Sequence, residues 1–577
     1  MSKLNIDQKS IRELLTNKRT DFLIPDYQRP YAWGEDECAT LWDDLFAFAF
    51  PNDDCDQFDA NDEYFLGPIV TFKNQNNQLE IIDGQQRLTT IMLLLRAFYD
   101  KFANMKDKPS TKMHSDIACC VWKTNEFDEP DMTRLKIDSE VASDNDKNEF
   151  LQILRTGMVE LGWTSNYAKN FSYFQERISQ LVNSAPTYLA IFATRIIRNV
   201  ILLPIEAESQ DTALRIFSTL NDRGLPLSDA DIFKSQFYKY FSSEGMKDSF
   251  VQRWKVLEDG ASSVFTPLRG TPMDELFTRY MYFRRAKMGI RDTTTQSLRD
   301  FFSRDSYAML KSDETLSDLE ALLGFWQQVD TQDGFSDRVL RCLFVLSYAP
   351  NGMWTYLLSV WFLANRDENN ELDEESLYNF LNVIIAFIYA YSIERPGVNA
   401  LRSPVYPEMI NIVNHSPVTF SNYQFTRDEI TNRFHAYVFT NGRPITKSML
   451  TWWAYSDPQQ SLLSMDTKLE IEHIYAKKRN ELTPLADQAN LDSLGNKALL
   501  EKRINIRASD YRFADKRKYY TGFTDAHNRP HAGTNIHELQ DFAAQKDDFT
   551  EDDITTRTSK IIDSFVNYLG DNGLIKE

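Results

Sequence analysis

Cysteine is scarce in this chain, five in 577 residues. Cys38, Cys55, Cys119, Cys120 and Cys342 have neither the spacing of a metal site nor the density of a disulfide framework. A reducing cytoplasm is the expected home. No apolar leader follows Met1-Ser2-Lys3-Leu4-Asn5, so no secretory signal is visible. The most apolar runs, Trp354 to Ala364 and Val383 to Tyr391, fall short of the roughly 20 residues that span a bilayer. They read as buried helices, and no membrane partner is expected. Positive charge is also short: 64 Lys and Arg against 84 Asp and Glu leave a net charge of −20. That balance argues against a generic DNA-coating surface but leaves room for a local basic site. No fixed-period repeat is visible in the helical middle. The sequence has no Walker-type loop, so any nucleotide phosphates are held differently from those of a P-loop enzyme. It carries no direct oligomer signal, and a homo-oligomer stays open.

What is present describes a folded chain. Hydrophobic residues make up 42% and aromatics 13%, too apolar for disorder. The length allows several domains. Pro30 to Glu63 contains many acids and no Lys or Arg, and its Asp53 to Glu63 cluster reads as a solvated loop. Lys101 to Asp146 is polar and broken and reads as an insertion. Helical periodicity returns from Phe150 to about Tyr240, interrupted by a strand-like run from Asn199 to Ile205. From about Ser242 to Phe425 the pattern is helical throughout. The chain turns locally basic after Thr426 and acidic and helical again from Asp547.

Three N-terminal segments carry chemistry. Gln78 to Ile82 alternates like a strand, and Leu88 to Tyr99 reads as a buried helix. Between them lies Asp83-Gly84-Gln85-Gln86-Arg87. A glycine turn feeding a helix start offers free N–H groups and a favourable dipole to an anion. Arg87 adds a planar fork for phosphate or carboxylate. The second segment is Tyr27-Gln28-Arg29-Pro30-Tyr31-Ala32-Trp33, where prolines flanking Gln28 and Arg29 limit their mobility. The third is Leu220-Asn221-Asp222-Arg223-Gly224-Leu225-Pro226-Leu227-Ser228, with Ser228 and Asp231 as a capping box. Ordinary turn chemistry explains the third segment. For the first two, a ligand with phosphate and base-like parts is the better explanation, although Asp83 also reads as a helix cap.

A second set lies in the C-terminal part. Leu469-Glu470-Ile471-Glu472-His473 alternates like a strand and ends in an acid and a histidine. Leu494-Gly495-Asn496 and Lys502-Arg503-Ile504-Asn505 follow. Histidine can take a proton from water near neutral pH. A carboxylate and an amide oxygen are hard ligands that suit Mg²⁺ or another divalent cation. The alternative is a lone histidine at a strand end, with Gly-Asn as a turn and Asn505 on a helix surface. Between Lys477 and Lys518 eleven Lys and Arg face six Asp and Glu, as phosphate contacts require. The other histidines read as incidental.

Both sets, in this order, resemble the GmrSD-type, modification-dependent restriction endonucleases. The resemblance implies an α+β, mostly helical protein in three parts. Residues 1–240 would form a ParB/sulfiredoxin-like α/β domain that binds and hydrolyses a nucleoside triphosphate. Its site would comprise Gln28, Arg29, Asp83, Gly84, Gln85, Gln86 and Arg87. Residues 241–425 would be a helical linking domain. Residues 426–577 would hold an HNH-like His-Me finger (ββα-metal) nuclease module embedded in helices. There His473 would be the general base, and Glu472 and Asn505 the ligands of Mg²⁺ or a similar ion. Asn496 would orient the histidine or support its loop, and Lys516 would contact phosphate. The implied substrate is DNA, modified or from phage, cut or nicked in bacterial defence. Two positions depart from the family pattern: Ala476 where Pro is usual, and Lys497 where Leu is frequent. The rival expectation is an NTP-binding regulator whose C-terminal module no longer cuts.

Overall fold

The Gln78–Ile82 alternation folds as a strand and the apolar run after it as a helix, so the Asp83 turn sits between sheet and core. The computed structural model describes residues 8–576, except 19–20, 26–27, 29, 142–145, 210–211, 214–215, 217–227, 269 and 509–511. Two compact units divide the chain, Met1–Lys255 and Val256–Glu577. The protein is α+β and mostly helical.

The first unit is built on a six-stranded mixed sheet. Its strands are β1 (Lys9–Ser10), β2 (Phe22–Ile24), β3 (Tyr64–Lys73), β4 (Leu79–Asp83), β7 (Ile137–Ser139) and β8 (Val200–Ala207), in the order β1-β8-β3-β4-β2-β7. A separate hairpin joins β5 (Trp122–Thr124) to β6 (Pro130–Leu135). β3 runs parallel to β8 and antiparallel to β4, with Val70 opposite Asp83 and a bulge after Val70. The Gln85–Phe102 helix is buried on nearly every side, as a helix apolar all round requires. It packs against the Lys108–Val121 and Asn166–Ser184 helices.

The stretch from Lys101 to Asp146 is not an insertion outside the fold. Met113, Ile117, Cys120, Trp122 and Ile137 enter the main core, and β7 pairs with β2. Short elements with polar outer faces hid that periodicity. The acidic stretch after Pro30 contains the Glu35–Ala49 helix, and its Asp53–Glu63 cluster is a run of largely exposed turns. Ser228 and Asp231 form the expected capping box on the Asp229–Ser243 helix.

The second unit begins with a helical array and ends around a small hairpin. Among the described residues one helix, Glu374–Glu394, is long and apolar enough to cross a membrane by length and composition, but most of that stretch is buried among its neighbours. The hairpin pairs β9 (Leu469–His473) antiparallel with β10 (Lys497–Glu501), setting Lys497 opposite His473 and Ala498 opposite Glu472. The Lys502–Ala508 helix follows and packs on both strands, and Phe513–Thr521 packs against that helix. A two-stranded ribbon of β11 (Phe523–Thr524) and β12 (Pro530–His531) comes next.

The Glu551–Asp571 helix closes over the Leu494–Asn496 turn. Arg557 donates through Nη1 to the carbonyls of Leu494, Gly495 and Lys497 at 2.8, 3.0 and 2.7 Å. Its Nε and Nη2 hold Glu538 at 2.8 and 2.7 Å. This approach demands glycine at 495, because a Cβ there would lie 1.9 Å from the Ile554 carbonyl oxygen. Gly495→Ala is therefore expected to destabilise this unit by roughly 1–3 kcal/mol through overpacking. Thermal unfolding checks it, and a melting temperature equal to wild type would mean that the contact relaxes without cost.

Candidate functional site

The Asp83 turn and the Gln28 loop meet, and their glutamines are the joint. Gln28 is buried and donates from Nε2 to the carbonyls of Ile81 and Ile82 at 3.1 and 3.2 Å. Gln86 is also buried. Its Oε1 accepts from the backbone N–H of Ala32 and Trp33 at 2.8 and 3.2 Å, and its Nε2 donates to Pro30 O at 3.3 Å. An amide has both a donor and an acceptor, so one side chain satisfies both kinds of backbone group. Tyr31 reinforces the loop, with its hydroxyl 2.7 Å from Thr90 Oγ1 and 3.0 Å from the Asn170 amide nitrogen that donates to it.

Gly84 starts the helix in the left-handed region at φ 92°, without a side-chain cap, and the first turn holds no acid. No capping carboxylate occupies that helix start, whose dipole favours an anion, and Gly84, Gln85 and Gln86 are buried there. Arg87 pairs with Asp83 at 3.2 Å and reaches the Leu66 carbonyl at 3.4 Å. Gly67 makes room for that guanidinium, since a Cβ there would sit 1.8 Å from Arg87 Nη1. Gly67 went unread in the sequence; an isolated glycine inside a strand pattern is its signal. Gln85 is buried beside Gln86. Arg29 and the Asn221–Gly224 turn lie outside the described residues.

In the second unit, β9 carries Glu472 and His473 to the inner end of the hairpin. Glu472 is 4% exposed and Lys516 1%. Lys516 Nζ donates to Glu472 Oε1 and, at 2.7 Å, to the His473 carbonyl oxygen. The Tyr520 hydroxyl donates to the same Oε1 at 2.9 Å. Lys516 is thus buried against the strand and away from any DNA surface. Asn496 is fully buried. It accepts from Tyr475 N at 2.7 Å and donates to Tyr475 O and Leu491 O at 3.1 and 3.0 Å. It supports the chain leaving His473 and makes no bond to the imidazole.

His473 is 9% exposed, and its Nε2 is buried without a hydrogen-bond partner. Burial pushes its pKa down to about 4, helped by the charges of Lys497 and Lys477 and opposed by Asp492. The ring is therefore neutral at neutral pH, the state a general base needs. Among the described residues from 477 to 518, Lys477, Lys478, Lys502, Arg503, Arg507, Arg512 and Lys518 are exposed, and Lys477 lies close enough to act on the imidazole. Arg479 and Arg517 are tied to Asp548 and Asp547.

Asn505 Nδ2 donates to Glu470 Oε2 at 3.2 Å. Glu470 and Glu472 are two residues apart on β9, hence on one face, and both meet the helical pair that follows β10. Among the described residues no three His, Cys, Asp or Glu side chains group as a metal site. Glu470 touches Asn505 and Glu472 lies two residues along the same strand, and carboxylates and an amide oxygen are ligand types that a hard divalent ion takes. An ion at Glu472 would have to share it with the Lys516 ammonium. Period-two alternation in Leu469–His473 was the available signal for Glu470.

Comparison with known proteins adds two matches. Residues 11–238 match the GmrSD restriction endonuclease N-terminal domain, and residues 421–564 match the GmrSD restriction endonuclease C-terminal domain. Among curated proteins no relative matches.

Removing one member of a buried ion pair strands the other charge. Lys516→Met is expected to lower stability by roughly 3–5 kcal/mol, and adding Glu472→Gln to recover part of that loss. Denaturant unfolding of both variants decides; a single variant as stable as wild type would show that Glu472 is not held by Lys516.

Proposed function

This chain belongs to the GmrSD restriction endonuclease family, and we propose on that premise that it is a DNA endonuclease of bacterial defence, controlled by a nucleoside triphosphate. The observation that carries the reading is His473, a buried neutral imidazole at a strand end, beside Lys477 and Lys497 and followed by a stretch of chain rich in exposed cations. The phosphate backbone of DNA fits those cations. Modified phage DNA is the proposed substrate.

The chain's own groups divide the work. His473 takes a proton from water as the water oxygen attacks phosphorus. The phosphodiester P–O bond then breaks, and its leaving oxygen takes a proton from solvent while His473 releases its own to solvent. Lys516 holds the His473 carbonyl and Asn496 the Tyr475 backbone two residues on, so the chain that leaves the base is fixed before substrate arrives. Glu470, Glu472 and Asn505 are the residues that would hold Mg²⁺ or a similar ion. When bound, such an ion stabilises charge on the phosphate and the leaving oxygen.

In the first unit the uncapped Gln85–Phe102 helix start and Arg87 would hold the triphosphate, with Gln28 and Gln86 keeping the loop over them. Arg87→Ala is expected to abolish NTP hydrolysis and leave the melting temperature nearly unchanged. An unaltered hydrolysis rate in a folded variant would remove the turn from the site.

One observation favours a second reading, that of an NTP-binding regulator that no longer cuts. The Glu472 carboxylate is occupied by Lys516 and Tyr520. A cleavage screen separates the two readings. Modified and unmodified phage DNA would be incubated with the full chain and Mg²⁺, with and without each NTP. Cleavage of at least one substrate is expected. No cleavage of any, together with no Mn²⁺ binding by calorimetry, would leave the regulator.

A further inference from the structure

A buried ring nitrogen without a partner is costly, and a carboxylate stands close to this one. His473 Nε2 has no hydrogen bond, and the nearest carboxylate oxygen, Asp492 Oδ1, lies 3.6 Å away. That gap is too wide for a hydrogen bond and narrow enough for a small side-chain rotation to close. Asp492 ends a short 3-10 turn, Gln488–Asp492, and its side chain is 37% exposed, so it has room to move.

Lys497 holds Asp492 in range. It stands directly across the hairpin from His473, with its side chain fully buried. Its Nζ donates to the Phe439 carbonyl and, at 2.8 Å, to Asp492 Oδ1. A fully buried ammonium is retained only if it is paired, and this one is paired with the oxygen that faces the imidazole. Asn496, expected to orient the histidine or support its loop, spends its amide on the loop, bonding the backbone of Tyr475 and Leu491.

We propose that Asp492, locked by Lys497, is the positioning residue of His473. It accepts a hydrogen bond from Nε2–H, fixes the ring's tautomer and orientation, and leaves Nδ1 as the atom that takes the proton from water. The arrangement follows the general logic of a base oriented by a third group. This inference rests on the nuclease reading only for its rate consequence; the tautomer stands apart from it.

The test uses the full chain labelled with ¹⁵N at histidine. Solid-state NMR reads the tautomers, and a His473→Gln sample identifies the resonance of His473. Wild type is expected to carry the proton on Nε2. Asp492→Ala is expected to lose that preference and to lower kcat for DNA cleavage about 10- to 100-fold, with KM changed less than about twofold. Asp492→Asn keeps an acceptor oxygen of similar reach and is expected to recover part of both. Lys497→Met is expected to give the same tautomer loss. Because Lys497 is buried and its variant risks misfolding, the partly exposed Asp492 carries the decision. A wild-type proton on Nδ1, or an Asp492→Ala spectrum identical to wild type, overturns the proposal. If no DNA is cleaved at all, the nuclease reading fails while the tautomer still decides the role of Asp492.

Discussion

A carboxylate and an ammonium taken out of water survive only beside each other, and the hairpin of the second unit is organised around such a pair. Glu472 and Lys516 are both buried, and removing either would leave the other charge without compensation. The pair does more than neutralise itself. Lys516 also holds the carbonyl of His473, and Tyr520 completes Glu472 from the same helix. The last two residues of β9 are thereby fixed to Phe513–Thr521. With the strand end fixed, Asn496 can hold the outgoing chain and Arg557 the turn before β10. His473 is placed by groups that touch its backbone or its neighbours.

The first unit uses the same device with neutral groups. Gln28 and Gln86 spend their amides on backbone of the strand and the loop. A loop tied at several backbone points keeps its shape without a large apolar core of its own, and loops on a rigid scaffold are where binding residues tend to lie. In both places polar residues that look reactive in the sequence serve as fasteners. In the proposed function the chemistry falls to the helix start with Arg87 and to the imidazole of His473.

This explains what was legible in the sequence. β4, the helix after it, β8, the Ser228 capping box, the helical middle and β9 follow from period and capping, and the structure places them near where the pattern does. The Lys101–Asp146 stretch was obscured because its helix and strands are short and mostly polar outside. The direction of a side chain was harder to read. Sequence spacing brings Gln86 and Asn496 to the right turns but cannot tell an amide that faces a ligand from one that faces backbone. Lys516 lies in a basic run, and only the tertiary packing turns it inward to Glu472. Asp492 carried no signal, since a single acid in a polar loop has no period.

If His473 is the base, cleavage of DNA does not survive its removal. The rate of DNA cleavage by His473→Ala, on a substrate that wild type cuts and with the variant's melting transition intact, measures it most directly. A loss of about 100-fold or more is predicted, the scale of a general base. Cleavage at the wild-type rate would contradict the assignment and move the chemistry away from the β9 hairpin.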